Sequence, residues 1–180
     1  VQLGANIDLP EEVEMAVRYG AEGIGLYRTE FLYLTRQELP TEEEQEQAYR
    51  WIAECVAPRP IVIRTLDLGG DKLSHVLHVQ PEMNPFLGWR AIRVCLAQPD
   101  IFRTQLRAIL RASTCGNIRI MFPMISGVEE ILAAKKVLEE ARSELRADGV
   151  RFDETCPVGA MIEVPSAAIL ADHIAREVQF

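Results

Sequence analysis

Residues Ile61–Lys72 read IVIRTLDLGGDK. β-Branched residues run to Arg64, the apolar character continues to Asp67, and Gly69-Gly70 breaks it before Asp71 and Lys72. A strand therefore delivers charged groups at its carboxyl end, which is where α/β folds keep their sites. Upstream, Gly23–Arg28 (GIGLYR) is a second strand that also closes on an arginine. Downstream, Arg90 follows the Pro- and Gly-punctuated run Asn84–Trp89 (NPFLGW). Three arginines at the ends of apolar runs point to an anion site.

Outward from this centre, strands and helices alternate. Val1–Ile7 fits a strand. Asp8 and Glu11 mark a helix start with Pro10 in the first turn, Val13, Ala16 and Val17 share a helical face, and Gly20 ends it. Thr29–Pro40 reads as a loop. Thr41 and Glu44 form a capping box ahead of a long solvated helix with Ala48, Tyr49, Ile52, Ala53 and Val56 at helical spacing. The continuous apolar run Ile61–Asp67 suits a parallel strand covered on both faces. Leu68–Leu87 is a long loop rich in Gly, Pro and His, a length that in a compact domain usually signals function or disorder.

Trp89–Gln98 and Ile101–Ser113 follow as helices broken at Pro99-Asp100, the second carrying Phe102, Leu106, Ile109 and Leu110 on one face. Ile118–Met124 is a fourth strand. Ser126 and Glu129 repeat the capping-box pattern before a helix that Gly149 closes. Val158–Val164 is a fifth strand carrying Glu163 near its far end, Pro165-Ser166 opens a helix through Ile174, and Val178–Phe180 resembles the start of a sixth strand. Such alternation requires right-handed crossovers and a parallel sheet. The fold class expected is α/β, most of a (β/α)8 TIM barrel, with residues 1–180 as one partial barrel domain. A sheet so incomplete leaves an unpaired edge, so self-association is expected.

Composition narrows the function. With 48% apolar and 26% charged residues the 180-residue chain can bury a sizeable core. Its 27 acidic residues against 19 basic ones, a net charge of −8, disfavour nonspecific binding to nucleic acid or to an anionic membrane surface, so an anion must be met by a local cluster. No apolar run approaches the roughly 18 residues of a spanning helix and no charged-then-apolar leader opens the chain, which makes a cytoplasmic location the expectation. Cys55, Cys95, Cys115 and Cys156 lie far apart, without C-x-x-C or zinc-ligand spacing, and read as reduced structural thiols.

In a β/α barrel, residues at the carboxyl ends of strands face one mouth, so Arg28, Arg64 and Glu163 converge despite their separation in sequence. Arginine presents a planar fork of donors suited to phosphate and carboxylate. The competing reading pairs each arginine with a nearby acid, Glu30, Asp67 or Asp71. Glu163 suits a hard divalent cation that keeps waters and meets substrate oxygens, or equally an arginine partner. Gly69–Lys72 lacks the P-loop spacing, and Lys72 reads as a solvated loop residue. His75, His78 and His173 have no nucleophile at a telling spacing and read as surface or packing residues. Met121, Met124 and Met161 read as core filling.

Six segments carry a resemblance that spans nearly the whole chain: GAEGIGLYRTEF (Gly20–Phe31), IVIRTLDLGGDK (Ile61–Lys72), NPFLGWRAIR (Asn84–Arg93), LRAILRAS (Leu106–Ser113), IMFPMISGVEE (Ile120–Glu130) and IEVPSAA (Ile162–Ala168). Together they resemble the phosphoenolpyruvate-binding domain of enzyme I of the bacterial sugar phosphotransferase system. Pyruvate phosphate dikinase and phosphoenolpyruvate synthase are similar in fold and chemistry but further from this wording. The resemblance implies a TIM barrel that binds phosphoenolpyruvate and Mg2+, passes the phosphoryl group to a histidine on another domain and then to the histidine-containing carrier protein, releases pyruvate, and dimerises. It assigns Arg28, Arg64 and Arg90 to phosphoenolpyruvate and Glu163 to Mg2+. The family's second metal carboxylate, its enolate-protonating cysteine and its phosphorylated histidine have no match in these 180 residues, so no catalytic residue is assigned and the isolated chain is expected to be catalytically incomplete. A regulatory nitrogen-type or multidomain paralogue that senses phosphoenolpyruvate without turnover, and a keto-acid lyase, are the alternatives.

Overall fold

A computed structural model describes residues 2–34, 36, 38–69 and 88–180. Five strands, β1 (Ala5–Ile7), β2 (Ile24–Tyr27), β3 (Ile61–Arg64), β4 (Ile118–Phe122) and β5 (Val158–Ala160), form one sheet in chain order, every neighbouring pair parallel. Sequential order with parallel pairing requires a crossover after each strand. Helices provide them: α1 (Glu12–Arg18), α2 (Phe31–Leu34), α3 (Glu42–Val56), α4 (Ile92–Ala97), α5 (Pro99–Ala112), α6 (Val128–Ala147), α7 (Pro165–Ile169) and α8 (Ala171–Ile174). The fold is α/β with an open parallel sheet. Past α8, Gln179 N–H donates to Val158 O at 2.8 Å and Ala160 N–H to Phe180 O at 3.2 Å, so the chain returns alongside β5, where a sixth strand would pair. Gly159 permits this, because a Cβ there would lie 2.4 Å from the Phe180 ring.

Register explains the core. Ile61 pairs with Ile118, Ile63 with Ile120, and Ile120 in turn with Val158, which stacks branched side chains across three strands. The helices cover them with their apolar stripes: Phe102 of α5 meets Phe122 of β4 edge to face at 5.9 Å, and Tyr49 of α3 meets Tyr27 of β2 in the same way at 6.2 Å. Outside this packing, Arg107 of α5 donates to Glu42 of α3, Glu144 of α6 and Asp148 beyond α6 at 2.7–3.1 Å, which ties three helices together.

Several local expectations are met and several are corrected. Thr41 and Glu44 do form a reciprocal capping box, but α3 is solvated on one side only, since Gln45, Tyr49, Ile52, Ala53 and Val56 are buried. Gly20 ends α1 with φ +92°. Thr29–Pro40 is not wholly loop, because α2 occupies part of it. The break between α4 and α5 falls at Gln98; Pro99 begins the second helix, where its missing N–H costs nothing. The box at Ser126 is displaced by one residue: Gly127 is the N-cap, and Glu130 rather than Glu129 accepts from the Ser126 N–H and hydroxyl. β5 ends at Ala160, so Glu163 lies beyond the strand, and the final helix is split at Leu170. Gly70–Lys72, His75, His78 and the rest of the loop to Leu87 lie outside the described residues.

Among the described residues no helix is long and apolar enough to cross a membrane. All four cysteines are free thiols; Cys95 and Cys156 are buried, and burial pushes both up to about 12. A thiol reagent at mildly alkaline pH is expected to modify Cys55 and Cys115 in the native protein, and Cys95 and Cys156 only after denaturation. Prompt native modification of Cys95 or Cys156 would contradict this packing.

Candidate functional site

The parallel sheet places the carboxyl ends of all its strands along one edge, and the end of β3 carries the densest charge there. Arg64 is the last residue of β3; its Nη2 donates to Glu30 Oε1 at 3.1 Å and its Nη1 pairs with Asp67 Oδ2 at 3.0 Å. The side chains of Arg64, Glu30 and Asp67 are only 11%, 13% and 6% exposed, so these charges interact with little solvent screening. The Arg64 Nε–H is buried and meets no acceptor among the described residues. Burial pushes the Glu30 carboxyl up, against the pull of the Arg64 guanidinium and of the Asp67 N–H that donates to it at 3.0 Å.

Arg90 joins the same cluster from the other side of the Asp67 carboxylate. Its Nη2 and Nε donate to Asp67 Oδ1 at 2.7 and 3.0 Å, so each oxygen of one carboxylate takes a different arginine. The approach is fixed by the backbone: Gly69 and Arg90 form an antiparallel bridge, and Ala91 N–H donates to Leu68 O at 3.1 Å. Ala91 has φ +51°, a conformation that costs a residue with a Cβ about 1–3 kcal/mol. Strain of that kind persists where the surroundings over-determine it, here directly beside the arginine.

The other expected residues lie on the same edge but outside this cluster. Arg28, just past β2, is turned to Asp8 beyond β1, with Nη1 3.0 Å from Oδ1; among the described residues it shares no partner with Arg64 or Arg90. Glu163, past β5, accepts the Met124 N–H at 2.8 Å, and Met124 is, among the described residues, the other non-glycine position with positive φ, at +56°. The link between the two ends is Met161, whose Sδ lies 3.9 Å from Arg64 Nη1. All three arginines are therefore engaged by acids, as the competing reading had it, with Asp8 in the place of an unexpected partner. His173 is on α8 at the surface, 3.8 Å from Asp172.

Whether Mg2+ fits can be judged from the donors present. Among the described residues no three His, Cys, Asp or Glu side chains gather to hold a metal. Mg2+ needs no such cage, however, because it keeps waters and takes one or two carboxylates plus substrate oxygens. Glu163 supplies one hard, solvent-accessible carboxylate, which fits that minimum.

Sequence reasoning missed one group at the site, a buried amide network. Gln105 of α5, fully buried, donates to Thr29 Oγ1 at 3.1 Å and accepts the Leu66 N–H at 2.9 Å. Its signal was available: Gln105 is a polar residue three after Phe102 and four before Ile109, on the apolar stripe of α5.

Residues 1–180 match, over their full length, the family described as "PEP-utilising enzyme, PEP-binding domain". The chain belongs to this PEP-binding domain family. Its similar relatives include the phosphoenolpyruvate-protein phosphotransferases of Priestia megaterium (54% identical over 180 residues), Bacillus subtilis strain 168 (52%) and Listeria monocytogenes (50%), each match covering the whole chain. The chain spans about a third of the length of these relatives, 31–32%. Within the PEP-binding domain, then, the end of β3 gathers two arginines on one acid, and Glu163 stands two strands away along the same edge.

Proposed function

We propose that the chain carries the phosphoenolpyruvate site of a phosphoenolpyruvate-protein phosphotransferase and forms part of an eight-stranded β/α barrel. One observation carries the reading of the site: guanidinium groups from two segments grip the two oxygens of one carboxylate, at 3.0 and 2.7 Å. A phosphate or carboxylate of phosphoenolpyruvate offers the same paired oxygens, and among the described residues the Arg64 Nε–H has no acceptor. Arg28, 41% exposed at its side chain, is a third cation that can swing from Asp8 to a ligand along the same edge. The barrel reading is supported by five parallel strands in chain order and by the return of Gln179 and Phe180 along β5.

In this reading Arg64 and Arg90 bind and orient the phosphate and spread its charge while its P–O bond to the enol oxygen breaks. The acceptor is a histidine outside these residues, which hands the phosphoryl group to a histidine-containing carrier protein; the enolate left behind takes a proton to become pyruvate. Glu163 would hold Mg2+, which supplies positive charge to the phosphate and enolate oxygens when bound. The protein acts in the cytoplasm as a homodimer.

Calorimetric titration of the full-length protein carrying this chain tests the site. Phosphoenolpyruvate is expected to bind, with Mg2+ strengthening it in the wild type and not in Glu163→Gln. The 180-residue chain alone is expected to release no pyruvate from phosphoenolpyruvate and Mg2+. Absence of binding, or equal Mg2+ dependence in Glu163→Gln, would refute the assignment.

A further inference from the structure

We propose that Gln105 is a positioning residue for the anion site, acting through Thr29 and Leu66 on the two carboxylates that aim Arg64 and Arg90. The inference rests on the anion-site reading above and goes beyond it, since Gln105 is fully buried on helix α5 and reaches the arginines only through other residues.

The hydrogen bonds leave Gln105 one orientation. The Arg64 carbonyl can only accept, so the Thr29 hydroxyl donates to it, at 3.1 Å. Thr29 must then accept from Gln105, which puts the amide nitrogen on Thr29 and the oxygen on the Leu66 N–H. The second amide hydrogen goes to Tyr49 OH at 3.3 Å, and Tyr49 donates onward to Gln45 Oε1 at 3.1 Å. Both donors are used inside the protein, and the amide is fully buried. A leucine would fill similar space but leave the buried Leu66 N–H without an acceptor, so Gln105 serves the fold as well, and what marks it as a positioning residue is where its bonds lead.

What Gln105 holds is specific to the site. Thr29 directly precedes Glu30, and Leu66 directly precedes Asp67. These acids are joined to each other through Asp67 N–H on Glu30 Oε1 and together hold Arg64, while among the described residues Asp67 alone holds Arg90. One helix side chain thus pins the strand-end segments from which both guanidinium groups take their direction. Removing it leaves Leu66 N–H and Thr29 Oγ1 without their tether, and both acids gain freedom to drift.

The test uses the full-length protein and phosphoenolpyruvate with Mg2+. Gln105→Met keeps length and removes donor and acceptor; it is expected to weaken binding about tenfold, the effect of about one lost hydrogen bond's worth of aim at a charged ligand. In an Arg64→Met background, where only Arg90 is left to be aimed, the same change is expected to cost less, about threefold, because non-additivity marks residues that act through one another. The Asp67 N–H and Arg64 Nε–H resonances of the unliganded protein are expected to shift in Gln105→Met and to stay in place in Ile109→Val, a buried change one turn along α5. Should Gln105→Met not fold, Thr29→Val carries the same comparison. Affinity within twofold of wild type, or an equal loss in both backgrounds, would overturn the positioning role while leaving the anion site standing. A wild type that binds no phosphoenolpyruvate overturns both.

Discussion

Arg64→Met is expected to weaken phosphoenolpyruvate binding by roughly two to three orders of magnitude, as a fork of charge-assisted hydrogen bonds worth about 3–4 kcal/mol is removed. The same change is expected to destabilise the protein, for a separate reason. Glu30 and Asp67 are buried against Arg64; Asp67 keeps Arg90, but Glu30 loses its only cation among the described residues. Breaking one side of a buried pair costs about 3 kcal/mol or more, which in a protein of this size lowers the melting midpoint by roughly 6–12 °C. The two effects separate in a double variant. Burial already pushes the Glu30 carboxyl up, so a neutral glutamine suits that position, and Glu30→Gln added to Arg64→Met is expected to restore at least half of the lost midpoint and none of the affinity. Calorimetry and thermal melts on the two variants check this. A double variant that regains affinity would show that Arg64 serves the fold and leaves the ligand to other residues.

The parts of the structure legible in the sequence are those in which a signal is local and reciprocal. Thr41 and Glu44 announce α3 because each satisfies the other's backbone, and the continuous apolar run from Ile61 announces β3, although the strand ends at Arg64 and not at Asp67. Ser126 and Glu129 misled for the same reason, since the spacing alone does not say whether Glu129 or Glu130 turns back to cap. The strand-end charges were legible as a class because parallel topology sends them to one edge. Their partners were not. Arg28 meets Asp8, twenty residues earlier, only because β1 and β2 are neighbours, and Glu163 lies past its strand because β5 leaves the ladder at Ala160. Gln105 was hidden among the arginines and threonine of an amphipathic helix, where a glutamine reads as solvated until its stripe is traced.

Phe102→Ala is expected to cost more stability than any other change considered and to leave the site intact. Phe102 is almost fully buried on α5, and its ring meets Phe122 of β4 edge to face at 5.9 Å. Truncating a buried phenylalanine removes its transfer free energy and opens a cavity, about 3–5 kcal/mol together, or roughly 6–20 °C in melting midpoint. Phe102→Leu keeps most of the volume and is expected to cost about 1–1.5 kcal/mol. The cavity opens between α5 and the sheet, while Gln105 one turn on is held by three hydrogen bonds, to Leu66 just past β3, Thr29 and Tyr49. Phosphoenolpyruvate affinity of the folded Phe102→Ala protein is therefore expected within twofold of wild type, the reverse of Gln105→Met, which loses affinity with a smaller stability change. A midpoint shift of only a degree or two would mean that the α5–β4 contact is not packed as the ring geometry indicates. Equal affinity losses in Phe102→Ala and Gln105→Met would mean that α5 positions the site as a rigid body, with no special part for its glutamine.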